Sequence, residues 1–230
     1  MKCIILAGGR GTRLVPLTDE MPKPLVKIGD KPVLYHIIER LRMGGLTDFI
    51  IAGGYKWKMI EKYVVNNPID GANIRVIDTG LDTLTGGRLK LLAPESGRVF
   101  VTYGDDISDV NAKNVIDFHN DSTKFGITMT GGRSKSNWGH LVVDGDNLLV
   151  FKEKPILDDW INIGNFIIDA EICKELKIDE TLEDFIKRMI GKCNVNVFKH
   201  NGYFYGMNTY ADYIFLNELW ERSRNWPKIL

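Results

Sequence analysis

The 230-residue chain is poor in every feature that would tie it to a membrane, a polyanion or an oxidising compartment. No apolar run approaches the roughly 20 residues of a membrane span, and the apolar start, Lys2 to Ala7, breaks into glycines too soon for a signal peptide. Thirty basic residues balance thirty acidic ones, so no global field holds nucleic acid or an anionic membrane; any polyanion must be met locally. Cysteine is scarce. Cys3, Cys173 and Cys193 are widely spaced and odd in number, which argues against a disulfide framework or zinc site and places the chain in a reducing cytoplasm. The four histidines, His36, His119, His140 and His200, lack metal spacing and read as core or surface residues. Trp138, Trp160, Trp220 and Trp226 lack the basic stripe that base stacking needs and read as core or pocket walls. There is no internal repeat, low-complexity tract or Pro/Ser-rich linker, so residues 1–230 are expected to form one domain.

What is present is the composition of a globular protein with a full core, 44% hydrophobic and 26% charged. Short β-branched runs recur at 3–7, 48–52, 74–78, 99–103, 126–130, 141–144, 162–168 and 195–200. Helix-period segments lie between them. Val33, Leu34, Ile37, Ile38 and Leu41 share one face and stop at Gly44-Gly45, and further helices are predicted over 56–65 and 111–120. Thr181 with Asp184, and Thr209 with Asp212, form capping boxes ahead of the last two helices. Alternation at the start and mostly strands over 126–168 predict an α/β fold, with a mainly parallel sheet and an added antiparallel portion. The glycine-rich stretch 82–88 reads as a loop.

The first strand runs into Gly8-Gly9-Arg10-Gly11-Thr12-Arg13-Leu14, then Pro16-Leu17-Thr18 and Pro22-Lys23-Pro24. Glycines let backbone N–H groups converge on phosphate oxygens, the loop lies at a strand's carboxyl end, and cations follow closely, so a triphosphate is a suitable guest. A Walker loop fails for want of Gly-Lys-Ser/Thr, and a dinucleotide fingerprint fails because Leu14 stands at its third glycine.

This string, with the following PKPLVKIGDKPVL, resembles the signature of the sugar-1-phosphate nucleotidyltransferases, GGxGTRLxPLT and a later KP. Further stretches, VIDTGLDTLTGGRLKLL, TYGDDISDVNAKNVIDFH, FKEKP and LNELW, look like the glucose-1-phosphate cytidylyltransferase branch, so the resemblance spans essentially the whole chain. It implies a three-layer αβα Rossmann-like fold with a mixed, mainly parallel central sheet. It also implies a Mg2+-assisted reaction of CTP with a sugar 1-phosphate, glucose 1-phosphate first, that releases pyrophosphate. The sugar phosphate's own oxygen attacks, so no protein nucleophile is needed. Another nucleotide or phosphorylated acceptor is the alternative within the enzyme class; a weakened regulatory homologue is the alternative outside it.

By the same resemblance, Arg13 faces the departing pyrophosphate and Lys23 approaches the α-phosphate. Leu6, Ala7, Gly8, Gly9, Gly11, Thr12 and Gly104 complete the nucleotide site, and Thr85, Gly86 and Gly87 form a base-binding loop. Asp105 matches the metal aspartate and is expected to be catalytic, with Asp106 and Asp109 left as turn or cap residues. Gly139, Glu153, Lys154, Asn162 and Gly164 match the sugar side, with Ile163 placing a branched side chain where the branch has none. Asn208 stands where a second metal aspartate is normal. It can offer one carbonyl oxygen without the charge, or it can help Thr209 cap the last helix; both readings stand at this point. Between Tyr63 and Val76 a dozen residues replace the branch's long insertion, so its assembly does not carry over, although a homo-oligomer is possible.

Overall fold

The computed structural model describes residues 1–136 and 138–223. In chain order the elements begin β1 (Lys2–Ala7), α1 (Leu17–Glu20), β2 (Lys27–Ile28), β3 (Lys31–Pro32), α2 (Val33–Met43), β4 (Asp48–Gly53), α3 (Trp57–Asn66) and β5 (Asn73–Asp78). They continue with α4 (Thr85–Leu92), β6 (Arg98–Tyr103), β7 (Asp106–Ser108), α5 (Ala112–Phe118), β8 (Gly126–Lys135), β9 (His140–Asp144) and β10 (Asn147–Lys152). The last are β11 (Ile156–Asp169), α6 (Ala170–Cys173), α7 (Leu182–Met189), β12 (Asn194–His200), β13 (Phe204–Gly206) and α8 (Tyr210–Ser223).

Among the described residues seven strands form one sheet in the order β12-β8-β11-β6-β1-β4-β5. Its neighbours pair in parallel except along β11, which runs antiparallel to both β6 and β8. The expected mixed, mainly parallel sheet is therefore observed. Alternation along the buried strands divides the core. Cys3, Ile5, Phe49, Ile51 and Phe100 face α2, α3, α5 and α8, while Ile4, Leu6, Ile50, Val99 and Val101 face α4, α6 and α7. This gives the three layers.

Local signals act as read. Helix α2 buries Val33, Leu34, Ile37, Ile38 and Leu41 and ends where the Gly44 N–H donates to Arg40 O and Gly45 takes φ +92°. In α7 the Asp184 N–H donates to Thr181 Oγ1 at 3.1 Å, closing the capping box. One expectation is corrected: only the first part of 82–88 is loop, because Thr85 begins helix α4. Its glycines are there for packing. A Cβ on Gly86 would lie 2.7 Å from Glu180 O, and one on Gly87 would lie 2.1 Å from Ile178 O. Close approach of helix to chain thus overrides glycine's poor helix propensity.

The tryptophans need a second correction. Trp138 is 79% exposed and walls nothing, whereas Trp160 lies between Arg133 and Lys199, with their cationic groups 4.7 and 5.5 Å from its ring centre. Trp220 packs on the core beside His36, and Trp226 lies outside the described residues. Among the described residues no helix is long and apolar enough to cross a membrane.

Candidate active site

Strands β1 and β6 are neighbours, yet the chain leaves β1 for β4 and β5 before returning to β6. Such a switch opens a crevice at the carboxyl ends of the two strands, and the glycine-rich loop and Gly104-Asp105 emerge there together. A cleft of about 460 Å3 lies between them. It is lined by Leu6, Ala7, Gly8, Gly9, Gly11, Thr12, Arg13, Lys23, Thr85, Gly104, Asp105 and Asn208, all expected from the sequence.

The loop owes its shape to local causes. Gly11 sits at φ +66° and caps a short 3-10 turn, Thr12–Leu14, that carries Arg13; Thr18 Oγ1 donates to Gly11 O at 2.9 Å. Gly9 has open space on its Cα, whereas Gly8 is glycine for another reason: a Cβ there would sit 2.0 Å from the Arg88 guanidinium carbon. Buried Arg88 is the clamp of the whole entrance. Its Nη1 donates to Gly53 O at 2.7 Å, Thr79 Oγ1 at 2.5 Å and Gly80 O at 2.8 Å, while Nη2 reaches Leu81 O at 3.1 Å and Gly8 O at 3.4 Å. Burial lowers the Arg88 pKa, with Asp78 and Asp82 opposing. Arg88 escaped the sequence reading because 82–88 read as a loop; an arginine between two glycines and Leu89 was the available signal.

At the mouth Lys23 donates to Asp105 Oδ2 and, at 3.2 Å, to Asn208 Oδ1; Arg13 Nη2 donates to that same amide oxygen at 3.1 Å. The capping reading of Asn208 is thereby set aside. Thr209 and Asp212 cap α8 reciprocally through Thr209 Oγ1 and Asp212 Oδ2, and the Asn208 side chain points at the cations instead. Asp106 is the other residue the sequence reading passed over. Its Oδ2 would be 2.7 Å from a Cβ on Gly164 and its Oδ1 3.2 Å from one on Gly206, so the carboxylate is wedged between two glycines. Burial, then the adjoining Asp105, raises its pKa to about 7. Asp109 does take a local role, accepting from His200 Nε2 and the Tyr203 N–H.

The remaining expected residues lie elsewhere. Gly86 and Gly87, in the first turn of α4, are buried against residues 178–181 and do not line the cleft. Gly164 lies against Asp106 and the Tyr103 ring, with its N–H held by Asn162 Oδ1 at 3.0 Å, so this pair adjoins the cleft beyond Tyr103. Gly139, Glu153 and Lys154 gather at the root of the β9–β10 hairpin: a Cβ on Gly139 would lie 3.3 Å from Glu153 Oε2, and Glu153 and Lys154 are exposed. Ile163, the branched side chain that departs from the branch, is 3% exposed and packs in the core.

A cleft at a sheet's switch point, with paired cations, a carboxylate and a glycine loop, is built for phosphate chemistry. The family model "Nucleotidyl transferase" matches residues 2–215. The chain belongs to the nucleotidyl transferase family. A glucose-1-phosphate cytidylyltransferase of Salmonella typhi is 32% identical, over 97% of each chain. A probable glucose-1-phosphate cytidylyltransferase of Bacillus subtilis is 29% identical over 100% of each. The crystal structure of HddC from Yersinia pseudotuberculosis superposes with a TM-score of 0.75 at 26% identity, covering 95% of this chain and 99% of that one. As a nucleotidyl transferase the protein is an enzyme that transfers a nucleotidyl group.

Which residues suit a metal follows from the donor set. Among the described residues no three His, Cys, Asp or Glu side chains converge as a protein-only cage. Asp105 and Asn208 offer oxygens alone, and both already face one cation, Lys23. Such a set fits a hard divalent cation that arrives mainly on phosphate oxygens.

Proposed function

We propose that this enzyme transfers a cytidylyl group from CTP to a sugar 1-phosphate, glucose 1-phosphate first, and releases pyrophosphate with the help of Mg2+. The observation that carries the reading is the convergence of Arg13, Lys23, Asp105 and Asn208 on the strand-end cleft. The names of the two cytidylyltransferase relatives support the base and the acceptor. Three free cysteines support a reducing, cytoplasmic setting.

An in-line displacement at the α-phosphate moves negative charge onto the departing phosphates. Fixed cations there favour the transition state over the ground state. Arg13, exposed at the mouth on its 3-10 turn, meets the departing pyrophosphate. With the triphosphate bound, Lys23 would meet the α-phosphate, and Asp105 and Asn208 would hold the metal cation. Bound there, Mg2+ supplies charge neutralisation of the phosphates. Gly8 and Gly9 present their backbone to the triphosphate, and Leu81, Thr83 and Thr85 wall the side on which the base lies. Glu153 holds sugar hydroxyls and Lys154 the acceptor's phosphate.

The test is pyrophosphate release with Mg2+, crossing CTP, UTP, dTTP, GTP and ATP against glucose 1-phosphate and other phosphorylated acceptors. Turnover with CTP and glucose 1-phosphate is expected. Turnover with a different pair alone would reject the assigned substrates and keep the reaction.

A further inference from the structure

The cations at the cleft mouth engage only one end of the Asn208 amide. Its Oδ1 accepts from Arg13 at 3.1 Å and Lys23 at 3.2 Å, which leaves its NH2 turned the other way, over Gly206. Asp106 waits there. Strands β7 and β13 pair antiparallel with Asp106 directly opposite Gly206, and the Met207 N–H donates to Asp105 O at 3.1 Å, so 105–106 and 206–208 are tied together. A Cβ on Gly206 would lie 2.5 Å from Asn208 Nδ2 and 3.2 Å from Asp106 Oδ1. Amide and carboxylate thus face one point that glycine leaves clear.

Among the described residues neither Asn208 Nδ2 nor the half-buried Asp106 carboxylate has a hydrogen-bond partner. Groups drawn partly out of water are costly in that condition, so both suit a ligand that arrives with the substrates. Its chemistry follows from the pair. A metal ion or an ammonium group would satisfy the carboxylate but offer the NH2 no lone pair, whereas a hydroxyl donates to the one and accepts from the other. The surroundings say whose hydroxyl it is. Asp106 Oδ2 would lie 2.7 Å from a Cβ on Gly164, whose N–H is held by Asn162 Oδ1, and the Tyr103 ring that flanks Gly164 also walls the cleft. The point therefore lies between the phosphate cations and the pair expected on the sugar side.

We infer that Asp106 and Asn208 Nδ2 together hold one hydroxyl of the acceptor sugar, which makes Asp106 a specificity-determining residue; this rests on the transfer to a sugar 1-phosphate proposed above.

Acceptor kinetics with CTP and Mg2+, comparing glucose 1-phosphate with its singly deoxygenated analogues, test it. Wild type should lose roughly tenfold or more in kcat/KM with one analogue, the one lacking the hydroxyl that is held. Asp106→Ala should raise the KM for glucose 1-phosphate by a similar factor, keep the nucleotide KM within about twofold, and treat that analogue and its parent alike. Asp106→Asn keeps an accepting oxygen and should show a smaller rise. Gly206→Ala puts a methyl group on the shared point and should raise the acceptor KM with Asp106 intact. An unchanged acceptor KM in Asp106→Ala and Gly206→Ala overturns the assignment, and so does an effect of Asp106→Ala confined to the Mg2+ requirement. A wild type that uses no sugar 1-phosphate overturns the proposed acceptor and this site together. One that uses glucose 1-phosphate and every deoxy analogue equally well overturns the site alone.

Discussion

Replacing Arg88 separates its service to the cleft from its service to the fold. The guanidinium holds Gly53, Thr79 and Gly80 through short contacts and Leu81 and Gly8 through longer ones, so one side chain ties the β1 loop, the end of β4 and residues 79–81 together. Hydrogen bonds from a charged donor contribute about 1.5–3 kcal/mol each, but burying the cation costs much of that back. What Arg88→Met costs is therefore set by the acceptors it orphans. Gly53 O keeps the Thr79 N–H at 3.0 Å and Thr79 Oγ1 at 2.6 Å, and Gly8 O keeps the Tyr55 N–H at 3.0 Å. The carbonyls of Gly80 and Leu81 lose the bonds Arg88 supplied. Both residues are exposed, so water meets part of that loss; at about 1 kcal/mol each the loss is near 2 kcal/mol, or roughly 4–8 °C in melting temperature for a chain of this length. Arg88→Lys keeps the charge but not the fork, and should lose about half as much. Because residues 81–84 line the cleft, the nucleotide KM measured well below either melting point should rise about tenfold. A melting temperature within about 2 °C of wild type in Arg88→Met would refute the clamp. A large thermal loss with an unchanged nucleotide KM would show that it serves the fold alone.

Other outcomes follow from the same geometry. Lys23→Ala should lower kcat by about a hundredfold or more with circular dichroism unchanged, because a fixed cation at the reacting phosphate is lost; near-normal turnover would remove Lys23 from the mechanism. Asn208→Asp places a carboxylate where Arg13 and Lys23 now donate at 3.1 and 3.2 Å, and should shift the Mg2+ dependence of turnover to roughly tenfold lower concentration. An unchanged Mg2+ titration would show that Asn208 only orients the two cations. Burial lowers the pKa of both His36, whose Nε2 meets Ile28 O at 3.0 Å, and His119, whose Nδ1 meets Thr128 Oγ1 at 2.9 Å. Below about pH 6.5 the unfolded chain takes up protons that the folded chain refuses, so stability present at pH 7.5 is lost as pH falls through that value. Melting curves from pH 5 to 7.5 should show this loss, and His36→Gln/His119→Gln should flatten it; parallel curves would disprove the assignment.

Much of the fold was legible because its elements satisfy local and global demands at once. The alternation that places Ile5 on one face and Ile4 on the other is the same pattern that marks β1 as a buried strand, and the Gly44-Gly45 stop and the Thr181–Asp184 box need no tertiary information. Helix α4 was hidden for the opposite reason. Its Gly86-Gly87 pair signals a turn in isolation, and only the backbone of 178–181, nearly a hundred residues later, explains why no side chain fits there.

The nucleotide half of the site was legible to the same degree and for the same cause. Gly8 to Lys23 lie on one strand end and its turns, so sequence neighbours are site neighbours, and Asp105 joins them through a single strand pairing, Leu6 with Tyr103. What stayed hidden depends on contacts between distant segments. Asp106 reads as a turn residue until Gly164 and Gly206 are seen to flank its carboxylate, and Asn208 reads equally as a cap or a cleft residue until Thr209 and Asp212 are seen to make the reciprocal cap. The acceptor half is the limiting case. Glu153 and Lys154 match a motif as clearly as Lys23 does, yet they stand exposed at the root of a ribbon whose every residue is exposed, so the letters identify them while no buried core packing of that ribbon explains their place.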